Sequence, residues 1–383
     1  MKTDSPREKT ESAITELDRP RARGIAAEAP PEVPTGWRNA WVRFWFTPTP
    51  PVGLHWMRVL AGLLFLSWLV PLAGERTALF GLHGWLDKTA HIEASRLPPG
   101  AVPVPFGWSL LYVEPSGGNE TLVEAFWWGG IAVIALFTLG VATRITGVLT
   151  WLVIVSFLAS PASSPDTDYL LPILAFYLML GYLLLGFWNS RLSPVERLLG
   201  LHRGSVFALF TGRRGEAAPS YAANFAMRLV QVHFAIIVVT SGLHKLQLGD
   251  WWRGAAYWYP LHPPLEMTAA KLRAEQGAAN FILFCLSLGS YVALAWQLTF
   301  PLLAFRRRLR SLLLIGGGLG CLGSIFMYGE LTFGPAYAIF CLSYLSAKEW
   351  EWLTDRLVRP LFSRAGTEAA PAMARKSRVK ATT

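Results

Sequence analysis

Charge is scarce in this sequence. Asp, Glu, Lys and Arg make up 16% of its 383 residues, against about 25% in an ordinary soluble domain, while 52% are hydrophobic. That balance excludes a water-soluble globule and points to an integral membrane protein. Cysteine is nearly absent. Cys285, Cys321 and Cys341 lie inside apolar stretches, far from any C-x-x-C spacing, so neither a disulfide framework nor a zinc site is expected. The seven histidines contain no H-x-x-x-H pair, which leaves no metal motif and no expected metal ligand. No short apolar segment follows the charged start, so a cleaved signal peptide is not expected and the first apolar run serves as the insertion signal. No soluble catalytic domain interrupts the apolar runs.

Aromatic side chains are plentiful: 17 Trp, 11 Tyr and 22 Phe, the rings that collect at membrane interfaces. Runs near the roughly 20 residues that a helix needs to cross a bilayer lie at 53–73, 121–142, 145–160, 169–188, 224–244, 280–304, 311–328 and 332–347. The expected fold is therefore all-α, a polytopic transmembrane helical bundle of about eight spans. Residues 1–36 and 351–383 read as tails, the second basic, and residues 37–350 as the transmembrane domain. Pro, Glu, Arg and Ala without an apolar period mark the first tail as disordered, and the chain from about 364 reads the same way.

Lys and Arg orient the spans, because basic short loops stay on the cytoplasmic side. The chain ahead of the first run holds eight, the 189–223 loop holds five, and "FRRRLR" holds four, whereas "SPASSPDTD" holds none. Eight spans with both termini cytoplasmic fit this alternation, in a membrane expected to be the bacterial inner membrane. The 74–119 loop, the Asp166/Asp168 turn, the Lys245–Tyr259 segment and Glu330 then share the outer face. The net charge of +10 sits in tails and cytoplasmic loops, where anionic lipid explains it and nucleic acid is not required.

The fifth run ends in "TSGLHKLQLGDWWRGAAYWYP". His233, Thr240 and His244 are seven and four residues apart and share one helix stripe, while Lys245 turns about 100° away toward Ser241 at i−4. Lys245 has two readings. It is an interfacial anchor beside Trp251 and Trp252, or it closes a pocket in which a neutral amine acts as a base.

"SGLHKLQLGDWWRG" resembles the stretch of vitamin K-dependent gamma-carboxylase and its bacterial relatives, the HTTM (horizontally transferred transmembrane) domain family, in which an apolar helix ends in small-Gly-x-x-Lys-Leu before an Asp-Trp-x-x-Gly turn. "LHWMRVLAGLLFL", with Arg58 at the family's helix-one arginine, and "DTDYLLPILAFYLML" are similar pieces, so that the resemblance covers about residues 50–347. It implies that Lys245 is a candidate base, with His244 beside it, and that a quinone is a candidate cofactor. Two departures argue against glutamate carboxylation. Thr167 precedes Asp168-Tyr169-Leu170 where the family carries His before Ser-Tyr-Leu, and the long lumenal part that binds the carboxylation substrate has no counterpart.

The site expected from these readings is an outward-facing pocket with Lys245 and His244 catalytic, Asp166, Asp168, Tyr169, Trp251, Trp252 and Tyr257 contacting a ligand, and Arg58 structural. Its function is that of a membrane redox or lipid-modifying enzyme for a quinone-like or prenyl ligand entering from the bilayer. The alternative is a non-enzymatic membrane module that partners an exported peptide or another membrane protein. A transporter is disfavoured, since the halves show no repeat of hydropathy. "GLGCLG" at 318–323 matches G-x-G-x-x-G but lies in an apolar run without a preceding strand, so Gly316 and Gly320 read as a packing face. Ser287, Ser290, Tyr291 and Gln297 form a polar stripe on the sixth run, for interhelical bonds or for a ligand.

Overall fold

A computed structural model describes residues 36–81, 84, 109–112, 120–159, 169–185, 219–261, 270 and 279–358. The chain divides after Arg43. The described part of the N-terminal unit is the beginning of helix α1 (Trp37–Phe46). There Trp37 and Trp41 are exposed, and Arg43 Nε donates to the Asn39 carbonyl at 3.3 Å.

In the second unit each expected apolar run carries a helix among the described residues. The helices are α2 (Val52–Leu69), a short α3 (Arg76–Phe80), α4 (Glu120–Leu139), α5 (Thr143–Leu158), α6 (Leu170–Leu184) and α7 (Tyr221–Lys245). They are followed by the single-turn α8 (Gly249–Trp252) and α9 (Trp258–Leu261), then α10 (Ala279–Leu303), α11 (Arg310–Tyr328), α12 (Phe333–Leu342) and α13 (Ala347–Leu353). No strand occurs among the described residues, only one isolated antiparallel bridge between Thr49 and Ser220. Five segments are long and apolar enough to cross a membrane: Val52–Gly74, Thr121–Leu139, Tyr221–Lys245, Phe281–Leu303 and Arg310–Tyr328. They mark the chain as an integral membrane protein. The helices Thr143–Leu158, Leu170–Leu184 and Phe333–Leu342 are shorter. At 1.5 Å per residue the last reaches only about 15 Å, half of a hydrocarbon core. Position 350 lies within α13, and an irregular helical turn carries the described chain on to Val358.

The helix ends have local causes. Pro71, which has no N–H to donate, stands where α2 tightens into a 3-10 turn over Val70–Gly74. Gly140 at φ +86 and Ala142 at φ +46 turn the chain between α4 and α5, and glycine takes the first of these without steric cost.

Small residues let the helices approach, as in membrane bundles generally. A side chain at Gly62 would run into Thr138 of α4, one at Gly181 would touch Ala226 and Leu54, and one at Gly242 would touch Gln297 and Leu298 of α10. Aromatic clusters fill the interior. Phe80, Trp127 and Phe157 form one. Phe234, lying between Phe300, Tyr337 and Phe340, forms another. The expected packing face on α11 is half used: Gly316 lies against the Trp296 indole, while among the described residues nothing comes within 4 Å of a β-carbon at Gly320.

The antiparallel succession of helices gathers two ends. A basic end holds the start of α2, the α4–α5 turn, the start of α7 and the Arg306–Arg310 segment. An aromatic end holds Tyr169, the end of α7, the Trp251–Tyr257 segment and Tyr328–Phe333.

Candidate functional site at the aromatic end

Lys245 is the last residue of α7 and is half-buried. Its Nζ donates to Ser241 Oγ at 2.7 Å, the i−4 partner that helical spacing predicts. It also lies 5.1 Å from the centre of the Trp251 ring, within cation–π range. Lys245 makes no ion pair among the described residues. A cation at a helix C-terminus is favourably placed in the helix field, so the amine is held by a hydroxyl, a ring face and the end of its own helix.

The segment after α7 builds the shelf under that amine. Asp250, Trp251 and Trp252 lie on the single turn α8. Trp252, 59% exposed, turns its indole N–H back to the Leu246 carbonyl at 2.5 Å, which places it as a cap on the end of α7. The Trp251 ring meets Tyr257 edge-on at 5.6 Å. Gly254, at φ +69, is buried against Ser287. Tyr291 Oη donates to the Trp252 carbonyl at 2.7 Å, and Ser290 Oγ donates to the Leu286 carbonyl of its own helix. The polar stripe of α10 thus anchors the shelf through Ser287 and Tyr291.

Beyond Trp251 the site continues into tyrosines and one acid. Burial, and then the nearby Tyr328, pushes the Tyr257 phenol up to about 12. Glu330 follows the C-cap Gly329 of α11, and its Oε2 accepts from Ser324 Oγ at 3.1 Å. Burial, and then the carboxylate of Glu330, raises the pKa of Tyr169, whose ring packs at 6.0 Å on Phe333. Lys245, Trp251, Tyr257, Tyr328, Glu330 and Tyr169 therefore belong to one end of the bundle.

No known protein family, curated protein or solved structure matches the chain.

The other residues named from the sequence fall as follows. His244 is exposed, a helical step away from Lys245. Asp166 and Asp168 lie outside the described residues. His233 is half-buried and bonds through Nδ1 to Tyr177 Oη at 2.6 Å, while Thr240 Oγ1 bonds to the carbonyls of its own helix. Arg58 sits at the basic end with no exposed surface. Its Nη1 donates to Tyr182 Oη at 3.2 Å, and His55 Nδ1 meets the same oxygen at 2.7 Å. A cavity of about 10 Å³ between Phe300, Arg310, Leu313, Cys341 and Tyr344 also belongs to the basic end, room for a single water.

Sequence reasoning missed Tyr177, Tyr182 and Tyr328. Nothing local flags them: Tyr177 and Tyr182 each meet a histidine of another helix, 56 and 127 residues away.

Proposed function

We propose that the protein is a membrane enzyme of the HTTM type that acts at its aromatic end on a quinone-like or prenyl ligand. The observation that carries the reading is the environment of Lys245, an amine held by Ser241 and a Trp251 ring and by no carboxylate among the described residues. Such an amine can turn from Ser241 toward a ligand oxygen without breaking an ion pair. As an ammonium it donates to a carbonyl, and as a free amine it takes a proton from a hydroxyl. Trp251 and Tyr257 offer a ring surface for a flat or isoprenoid molecule, and Tyr169, Tyr257 and Tyr328 add donors. With the basic end toward the cytoplasm, as the positive-inside rule favours, the site faces outward.

Mass spectrometry of what copurifies with the detergent-extracted protein tests the reading, together with binding and turnover of an isoprenoid quinone by wild type, Lys245→Arg and Lys245→Ala. The expected result is a quinone-like or prenyl lipid bound by wild type, and loss of turnover in both variants at unchanged thermal stability, since arginine cannot supply a neutral amine. A Lys245→Arg protein that turns over quinone like wild type leaves Lys245 as an interfacial anchor.

A second reading, a non-enzymatic module that partners an exported peptide or another membrane protein, draws on α10 and α11. Phe281, Phe284, Val292 and Leu302 on α10 and Leu312, Ile315, Leu319 and Phe326 on α11 are all more than half exposed, an apolar surface that lipid or a protein partner would cover. Cross-linking from Phe326 in native membranes, yielding a defined protein adduct from a ligand-free preparation, would favour it.

A further inference from the structure

The Tyr177–His233 pair lies on α6 and α7, well below the interface. His233 is twelve residues from Lys245, about 18 Å along the helix axis, close to the middle of a roughly 30 Å hydrocarbon layer. From the basic end to this point α6 covers α7, as Gly181 on Ala226 shows. Among the described residues, no ring contact or hydrogen bond joins the two helices farther toward the aromatic end. On the same side of α7, Ile236 is 52% and Leu243 50% exposed, and Thr240 and His244 are exposed as well. Among the described residues the outer half of α7 is therefore open on this face, and the pair closes its deep end.

The pair also has hydrogen-bonding capacity left over. His233 uses Nδ1 on Tyr177, and its Nε2 has no partner among the described residues. An imidazole nitrogen at that depth without a partner is costly in hydrocarbon, and polar groups placed there mark ligand or proton paths. The two arrangements of the pair offer different edges. When Tyr177 donates to Nδ1, the ring proton is on Nε2, which donates outward and fits a carbonyl oxygen. When Nδ1–H donates to Tyr177, Nε2 accepts and the phenol donates, which fits a hydroxyl.

We infer that Tyr177 and His233 form a binding point, open to the bilayer, for the oxygen of a neutral, membrane-dissolved ring ligand, and that the open face of α7 runs from it to His244 at the aromatic end, one residue before Lys245. The depth selects the chemistry. Phospholipid esters and sterol hydroxyls stay at the interface, whereas an uncharged quinone or its hydroquinone dissolves in the hydrocarbon core, and the two arrangements of the pair suit its oxidised and reduced forms. The inference rests on the proposed quinone-type ligand and adds a second contact to that site.

The test is equilibrium binding of a radiolabelled isoprenoid benzoquinone to the full-length protein in nanodiscs, with thermal stability measured alongside. Tyr177→Phe and His233→Leu each should weaken binding about five- to tenfold, the worth of one hydrogen bond. Thr240→Trp, on the exposed face two turns from His233, should block binding with no loss of stability. Binding that survives all three changes overturns the inference, and if Tyr177→Phe then only lowers the melting temperature, the pair is an interhelical lock. Wild-type binding that depends on Lys245 but not on Tyr177, His233 or Thr240 removes the second contact and keeps the proposed function. Failure of wild type to bind any quinone removes both.

Discussion

Gly254 and Ser287 stand closer than any residue with a side chain would allow at position 254. A β-carbon there would come within 2.8 Å of Ser287 Cβ, and the backbone at φ +69 already lies in the left-handed region. This contact fixes the distance between the Trp251 shelf and α10, and it gives the last glycine of "GDWWRG" a physical reason. Gly254→Ala is expected to cost about 1–2 kcal/mol from backbone conformation alone, plus the clash. The melting temperature should fall and quinone binding weaken. Adding Ser287→Gly should recover the steric part and leave the backbone part. A Gly254→Ala protein as stable as wild type would show that the shelf does not depend on this contact.

Topology is checked by cysteine labelling after Cys285, Cys321 and Cys341 are replaced by alanine. Asp250 and Arg307 are both exposed and lie at opposite ends of the bundle. A cysteine at Asp250 should react with an impermeant maleimide added to intact cells, and one at Arg307 should react only after permeabilisation. The reverse pattern would turn the Lys245 end toward the cytoplasm and end the outward-facing reading.

At the basic end α13 opens with a capping box. Ser346 Oγ and the Ser346 backbone N–H both donate to Glu349 Oε2 at 2.7 Å, and Arg310 pairs with Oε1 of the same carboxylate. Burial pushes the Glu349 carboxyl up, but the two bonds from Ser346 and the Arg310 charge outweigh it and hold the group below its ordinary 4.5. A carboxyl with a lowered folded pKa stabilises the fold above its unfolded value and loses that contribution as pH falls through the folded value. Wild-type stability should therefore decline below about pH 4.5 in part through this group. Glu349→Gln should be less stable by about 1 kcal/mol at pH 7, and its deficit should shrink as pH falls toward 3. A deficit independent of pH would show that the carboxylate charge contributes nothing.

The helices were legible because each apolar run exceeds what a soluble chain needs, and the i−4 reach of Lys245 to Ser241 was legible because both lie on one helix. The number of complete crossings was not. Thr143–Leu158, Leu170–Leu184 and Phe333–Leu342 read as spans by composition, but their helical lengths fall short. Of the expected site, Lys245, Trp251 and Tyr257 come together, while Trp252 caps a helix and His244 is exposed. Glu330 lies near enough to Tyr169 for its charge to raise the phenol's pKa. The tyrosine partners of His55 and His233 had no signal, since a hydrogen bond between distant helices leaves no periodicity in either one.

Tyr182 offers the most direct measure of what those unseen partners contribute. Its hydroxyl receives the Arg58 Nη1–H, lies 2.7 Å from His55 Nδ1 and is buried to 1% exposure, while the Arg58 guanidinium also stands 5.3 Å from its ring centre. Phenylalanine would keep the ring and its packing on Phe137 but remove the one oxygen that His55 and Arg58 share. Loss of a hydrogen bond to a charged donor costs about 1.5–3 kcal/mol. Tyr182→Phe should therefore destabilise the fold by about that amount in reversible unfolding from bicelles, with no effect on the affinity of quinone at the far end of the bundle. A double-mutant cycle with His55→Leu separates the two bonds. If the hydroxyl works through both partners, His55→Leu alone should cost about 1 kcal/mol and the two changes should be less than additive. Strict additivity, or a Tyr182→Phe protein within about 0.5 kcal/mol of wild type, the scale of surface changes, would mean that the Tyr182 hydroxyl contributes little to holding Arg58 and His55.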